Sequence, residues 1–176
     1  MIFLFLLFGC MLFVLCSVVY WTLKNGISPM PVSYKVLKEL KGHLPHSISG
    51  KIYDLGSGFG VLAFFLAKWY PKNPVIGIES STVPYAISRI ISLFSSATFM
   101  RKNFYTISLK DASLVVCYLF PGAMENIARK LEQDLSPKAW VISLTFAIPG
   151  WKAAKTVTVP DLYHSKIYIY KLDERH

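Results

Sequence analysis

Hydrophobic and polar positions divide the chain into one unbroken apolar run and, after it, short apolar stretches alternating with amphipathic ones. Met1 to Leu23 carries no charged side chain. About 20 apolar residues are enough for a helix to cross a bilayer, so the pattern predicts a transmembrane anchor over residues 1–23. Gly26, Pro29 and Pro31 then block regular structure, and residues 24–33 read as a linker. Tyr34 to Leu44 has helical spacing, with Val36, Leu37 and Leu40 on one face. Ile52–Leu55, Pro74–Glu79, Ala97–Arg101, Ser113–Leu119 and Trp140–Ile148 read as buried strands. Between them, Val61–Trp69, Val83–Phe94 (Arg89 on its outer face) and Ala123–Leu135 read as helices. Lys155–Val159 and Lys166–Lys171 alternate polar with apolar residues, as the two arms of a closing hairpin do.

Strands alternating with helices predict an α/β domain over residues 34–176, a mostly parallel sheet covered on both faces. The last hairpin adds antiparallel pairing at one edge. Ligands on such sheets lie beyond the carboxyl ends of the strands. That rule gathers Asp54, Glu79, Asn103, Tyr118, Phe120 and Pro121 on one rim, because each stands at or just after a strand end.

Charge adds an orientation. The formal net charge is +9, from 19 Lys and Arg against 10 Asp and Glu, and all of it follows the apolar run. Lys24, Lys35, Lys38 and Lys41 flank that run on one side only, so the positive-inside bias places the domain on the cytoplasmic or matrix side of a single-pass membrane protein. Membrane lipid is the partner expected through the N-terminal helix, and a basic domain held there is attracted to anionic headgroups. A cleaved signal peptide is a poor match, since no cation precedes the run and no small-x-small site follows it. The cations are scattered and form no nucleic-acid-binding module, so no nucleic-acid partner is expected. Cys10, Cys16 and Cys117 have no metal-ligand spacing and no disulfide framework.

The chemistry concentrates in Lys51-Ile-Tyr-Asp-Leu-Gly-Ser-Gly-Phe-Gly-Val61. A strand ending on Asp54 breaks into a turn with Gly56, Ser57, Gly58 and Gly60 before a helix, which is the context a nucleotide cradle requires. Glu79, with Ser80 beside it, ends the next strand, where a carboxylate accepts hydrogen bonds from ribose hydroxyls. Asn103 can read an adenine edge. Phe104 and Tyr105 either flank the base or belong to the core. Asp54 either holds an ammonium group or orders the glycine turn.

With Asp54-Leu-Gly-Ser-Gly58, Glu79 after the second strand and the helix–strand order in place, the chain resembles a class I S-adenosylmethionine-dependent methyltransferase. More narrowly, Lys51 to Lys171 is similar to the membrane-anchored mitochondrial protein-lysine methyltransferases acting on ATP synthase subunit c or the adenine nucleotide translocase, and to their prokaryotic relatives. The apolar leader, Met30-Pro31-Val32-Ser33, the tract Lys130 to Ile142 and Pro149-Gly150-Trp151 carry that likeness. It implies a Rossmann-like sheet with S-adenosyl-L-methionine held by Asp54, Gly56, Ser57, Gly58, Gly60, Glu79, Ser80, Asn103 and Phe104. The acceptor implied is a lysine of a membrane or membrane-associated protein. The pattern departs from the family at Phe59 and Asn103, where acidic residues are usual, and at Val32, where a small hydroxyl is. A lysine amine must lose its proton before it attacks, and an apolar rim of Tyr118, Phe120, Pro121 and Trp151 favours the neutral amine. Two alternatives stand beside this reading: a lipid or small-molecule methyltransferase, and a cofactor-binding interaction module weakened by Phe59.

Overall fold

The computed structural model describes residues 1–25 and 32–172. Most of the expected linker, including Met30 and Pro31 of the pre-motif, lies outside the described residues, as do residues 173–176. The elements are α1 (Ile2–Asn25), α2 (Tyr34–Lys41), β1 (Lys51–Leu55), α3 (Val61–Trp69), β2 (Val75–Glu79) and α4 (Thr82–Ile91). They continue as β3 (Thr98–Arg101), β4 (Ala112–Cys117), α5 (Pro121–Asp134), β5 (Trp140–Leu144), β6 (Lys155–Thr158) and β7 (Lys166–Lys171). Short 3-10 turns follow α4 at Ser92–Phe94 and β3 at Phe104–Thr106.

One seven-stranded sheet holds the molecule together in the order β3-β2-β1-β4-β5-β7-β6. The first five strands pair in parallel, and β7 is antiparallel to both β5 and β6. The expected parallel sheet with a terminal antiparallel hairpin is therefore present. Its two faces bury separate cores. Ile52, Leu114, Val116 and Ile142 meet Leu62 and Leu66 of α3 and Leu37 and Leu40 of α2 on one face. On the other, Leu55, Ile78, Val115 and Val141 meet Met124, Ile127 and Leu131 of α5. Each fully buried aliphatic side chain of this kind contributes about 1.5–3 kcal/mol. The chain runs outward from β1 to β3 and then crosses back to β4, so the order reverses between β1 and β4. That reversal opens a crevice at the strands' carboxyl ends.

Four expectations from the sequence do not hold. A helix does form over Ile2–Asn25. Among the described residues, however, no helix is long and apolar enough to cross a membrane. An apolar sequence makes a span only as a helix that is long and apolar enough throughout, and none is found among the described residues. The transmembrane anchor is withdrawn, and with it the single-pass location and the lipid partner reached through that helix. The fourth is β5, expected to reach Ile148 and ending at Leu144. Thr145 has a φ of 72°, outside any strand, and the chain turns there.

Candidate active site

The glycine turn forms because its backbone needs left-handed conformations. Gly56, Gly58 and Gly60 have φ of 72°, 54° and 85°, a region open to glycine at little cost. Gly60 is also hemmed in: a Cβ there would stand 2.6 Å from the Phe99 ring. Gly58 is the reverse case, with nothing within 4 Å of a Cβ. Open space lies above the loop at that residue. Leu119 closes the floor, its Cδ2 standing 2.7 Å from where a Cβ on Gly56 would be.

Glu79 is turned toward this loop and is buried at 7% exposure. Its Oε2 accepts from the Gly58 amide at 2.9 Å and its Oε1 from the Ser81 amide at 2.6 Å. Each carboxylate oxygen keeps a second lone pair for another donor. Ser80 stands half-buried between these two anchors.

Asp54 lies deeper. Its carboxyl is raised to about 7, chiefly by burial, with the Ala63 amide in the first turn of α3 working against the rise and the charge of Glu79 adding to it. Gly60 offers no side chain to cap α3, so Asp54 meets one of the helix's orphan donors from below. Its Oδ2 and the neighbouring Ser57 Oγ are buried without a hydrogen-bond partner. Such atoms cost free energy until a donor reaches them, and together with the open face of Gly58 they fit a polar ligand bearing an ammonium group.

Asn103 is exposed and works locally. Its Oδ1 accepts from the Tyr105 amide at 3.0 Å, capping the turn that follows. The Phe104 and Tyr105 rings lie 4.4 Å apart between centroids, and the Tyr105 hydroxyl donates to Ala123 O of α5 at 3.2 Å. Phe104 is half-buried against the second core. The expected acceptor rim is divided by the sheet. Tyr118 packs with the α3 side, whereas Phe120 packs with the α5 side. Pro121 is exposed at the first position of α5, where its missing N–H costs nothing. Trp151 does not join the rim as expected: its indole donates to Glu132 of α5 at 2.7 Å and packs edge-on to Tyr170. Phe59 is half-buried. The expectations missed Leu119, the Ser81 amide and the turn at Thr145. The position of Leu119 after a β-branched strand signalled the first; nothing in the residue types signalled the others.

An open cleft of about 420 Å³ lies at the opposite, amino-terminal ends of the strands, around Ser49, Lys110, Ser113 and Lys138. It shares none of the residues of the glycine loop.

The ANTKMT methyltransferase domain matches residues 54–155, which begin on the buried aspartate of the loop and run into β6. The chain belongs to this methyltransferase family. S-adenosylmethionine is its cofactor. A protein-lysine N-methyltransferase of Saccharolobus islandicus is 26% identical over 82% of this chain and 93% of its own length. The adenine nucleotide translocase lysine N-methyltransferase of Mus musculus is 29% identical over 61% of this chain, and the match spans 48% of that protein. Among solved structures, an RNA methyltransferase from Salinibacter ruber bound to S-adenosyl-L-homocysteine superposes with a TM-score of 0.74 at 22% identity. That match covers 84% of this chain and 96% of the other, and shows the Rossmann-like methyltransferase fold. The family resemblance read from the sequence is therefore borne out.

Proposed function

We propose that this methyltransferase acts on the lysine side chains of proteins, membrane-associated proteins included. The observation that carries the reading is Glu79 joined to the Gly58 amide beside open space. Family membership and the lysine methyltransferases among its relatives give the acceptor.

In this reading Glu79 takes the ribose hydroxyls on its remaining lone pairs, and Gly58 lets the ligand lie against main chain. Asp54 and Ser57 serve the amino-acid end, Gly56 and Gly60 hold the loop's shape, and Asn103 with Phe104 borders the base. Ser80 keeps Glu79 and Ser81 in register. The bound cofactor supplies a methyl group on a sulfonium, ready for in-line displacement. The chain's own work is positioning and exclusion of water. An amine with an ordinary pKa near ~10.4 must be neutral to attack, and in this reading the apolar surface of Phe120 and Pro121 on the α5 side disfavours its charged form.

The test is incubation of purified protein with methyl-labelled S-adenosylmethionine and a membrane fraction, followed by mass spectrometry of the labelled proteins. Methylated lysine is the expected product. Label found only in the lipid extract would replace this reading with a lipid methyltransferase. Tight cofactor binding with no label anywhere would leave an interaction module.

A further inference from the structure

The carboxyl end of β5 carries a turn that the site as described does not use. Phe146 N donates to Leu144 O at 2.9 Å across Thr145, whose φ is 72°. A bond from residue i+2 back to residue i with positive φ between them is the strained, rare form of γ-turn. Thr145 is β-branched, so the backbone is further from its preference than a glycine or asparagine would be.

Three ties hold the turn in this state. Besides the bond across it, Thr145 N donates to Lys166 O of β7 at 2.7 Å. From inside the sheet, Ser143 Oγ donates to Phe146 O at 2.5 Å, and Ser143 is fully buried. Strain held against its own tendency to relax is found where geometry matters to function.

Its location agrees. Ser143 pairs with Cys117 of β4, so Thr145 and Leu119 each stand two residues past the same register line. Leu119 is the residue beneath Gly56 of the cofactor loop. Phe146 is half-buried against the same core as Phe120, the aromatic residue that precedes α5. We propose that the Leu144–Phe146 turn forms the acceptor-side wall of the methyl-transfer site, with Thr145 as the positioning residue that sets where Phe146 stands. This rests on the lysine-methyltransferase reading.

The test uses the full chain and an analogue of S-adenosylmethionine in which nitrogen replaces sulfur and bears a butyl arm standing in for a lysine side chain. The same analogue without the arm is the reference, and both are titrated by calorimetry. The wild-type protein is expected to bind the arm-bearing compound about tenfold more tightly, equivalent to about 1.4 kcal/mol. Thr145→Gly and Phe146→Ala are expected to lose most of that gain and to bind the armless compound as the wild type does. Thr145→Gly should also melt no lower than the wild type, because glycine accepts the positive φ. If both variants keep the full gain from the arm, or lose affinity equally for both compounds, the wall lies elsewhere. If the wild type gains nothing from the arm while binding the armless compound, the lysine-acceptor reading fails and takes this inference with it. If neither compound binds, the cofactor site itself has been misassigned.

Discussion

Gly58 gives its amide hydrogen to Glu79 Oε2 at 2.9 Å, joining the loop after β1 to the end of β2 through one carboxylate. The same carboxylate holds the Ser81 amide in front of α4. Glu79 is thus both the acidic group facing the crevice and the clasp that shapes it. Replacing it removes the carboxylate proposed to hold the ribose and leaves two backbone donors unsatisfied. Glu79→Ala is expected to lower stability by about 2–4 kcal/mol, from ~1–3 for each lost partner with partial rescue by water. Glu79→Gln keeps one acceptor, so urea melts should rank it between the two. Calorimetry with S-adenosylhomocysteine should show both variants weakened at least about tenfold. Unchanged affinity in Glu79→Gln would show that the charge has no part in binding.

Two glycines in one turn should respond in opposite ways. At Gly58 an added Cβ meets nothing, so Gly58→Ala pays only the left-handed backbone cost of about 1–2 kcal/mol. Its methyl group would enter the open space proposed for the ligand, so binding should suffer more than folding. At Gly60 the Cβ would collide with Phe99 at 2.6 Å and crowd Ser88 at 3.0 Å. Gly60→Ala should therefore lower the melting temperature by clearly more than Gly58→Ala does. The comparison needs thermal melts and cofactor titrations of both proteins, and equal effects on both readouts would contradict it.

Asp54 makes a pH prediction. Its carboxyl is raised from 3.8 to about 7, chiefly by burial. The folded chain therefore holds this proton more tightly than the unfolded chain. The contribution of Asp54 to stability is then greatest at low pH and declines as pH rises from about 4 to about 7. Asp54→Asn removes the titration. Relative to the wild type it should gain stability with rising pH across that window, by on the order of 4 kcal/mol in total. Urea unfolding of both proteins at a series of pH values measures the gap. A gap that stays constant with pH would mean that Asp54 is not the titrating group.

Asn103 caps its own turn through Oδ1, and aspartate caps equally well. Asn103→Asp should leave stability unchanged and strengthen binding of the cationic cofactor a few-fold, restoring the charge usual in the family. Asn103→Ala should cost about 1 kcal/mol through loss of the cap. Tyr105→Phe separates the cap from the tie to α5, since it deletes only the bond to Ala123 O. Calorimetry alongside chemical denaturation distinguishes the three.

The sequence showed most where one residue type had one physical consequence. Val61–Trp69 is a helix over the bounds expected, because the glycine turn opens it and the chain breaks before Pro71. The sheet was legible from the alternation of strands and helices, and Glu79 from its place at the end of β2. Legibility failed where tertiary contacts overrode composition. Thr145 looks like a strand residue and sits in a turn only because Ser143 and Lys166 hold it there. Trp151 reads as rim, yet Glu132, on a helix distant in sequence, draws its indole away. Tyr118 and Phe120, two residues apart at a strand end, were expected to act together. An extended segment would put them on one face, but β4 ends at Cys117 and Phe120 already caps α5, so the alternation breaks there and the two rings join opposite cores.

The sheet order has a consequence for biosynthesis. β6 leaves the ribosome before β7, yet its described ladder is with β7, which lies between it and β5. Until β7 is made, β6 has no neighbour to zip onto, and β5 exposes a bare edge where Tyr168, Ile169 and Tyr170 will later dock. The nascent domain thus carries an open seam through its late translation, and a chaperone that shields β-edges would find its target there.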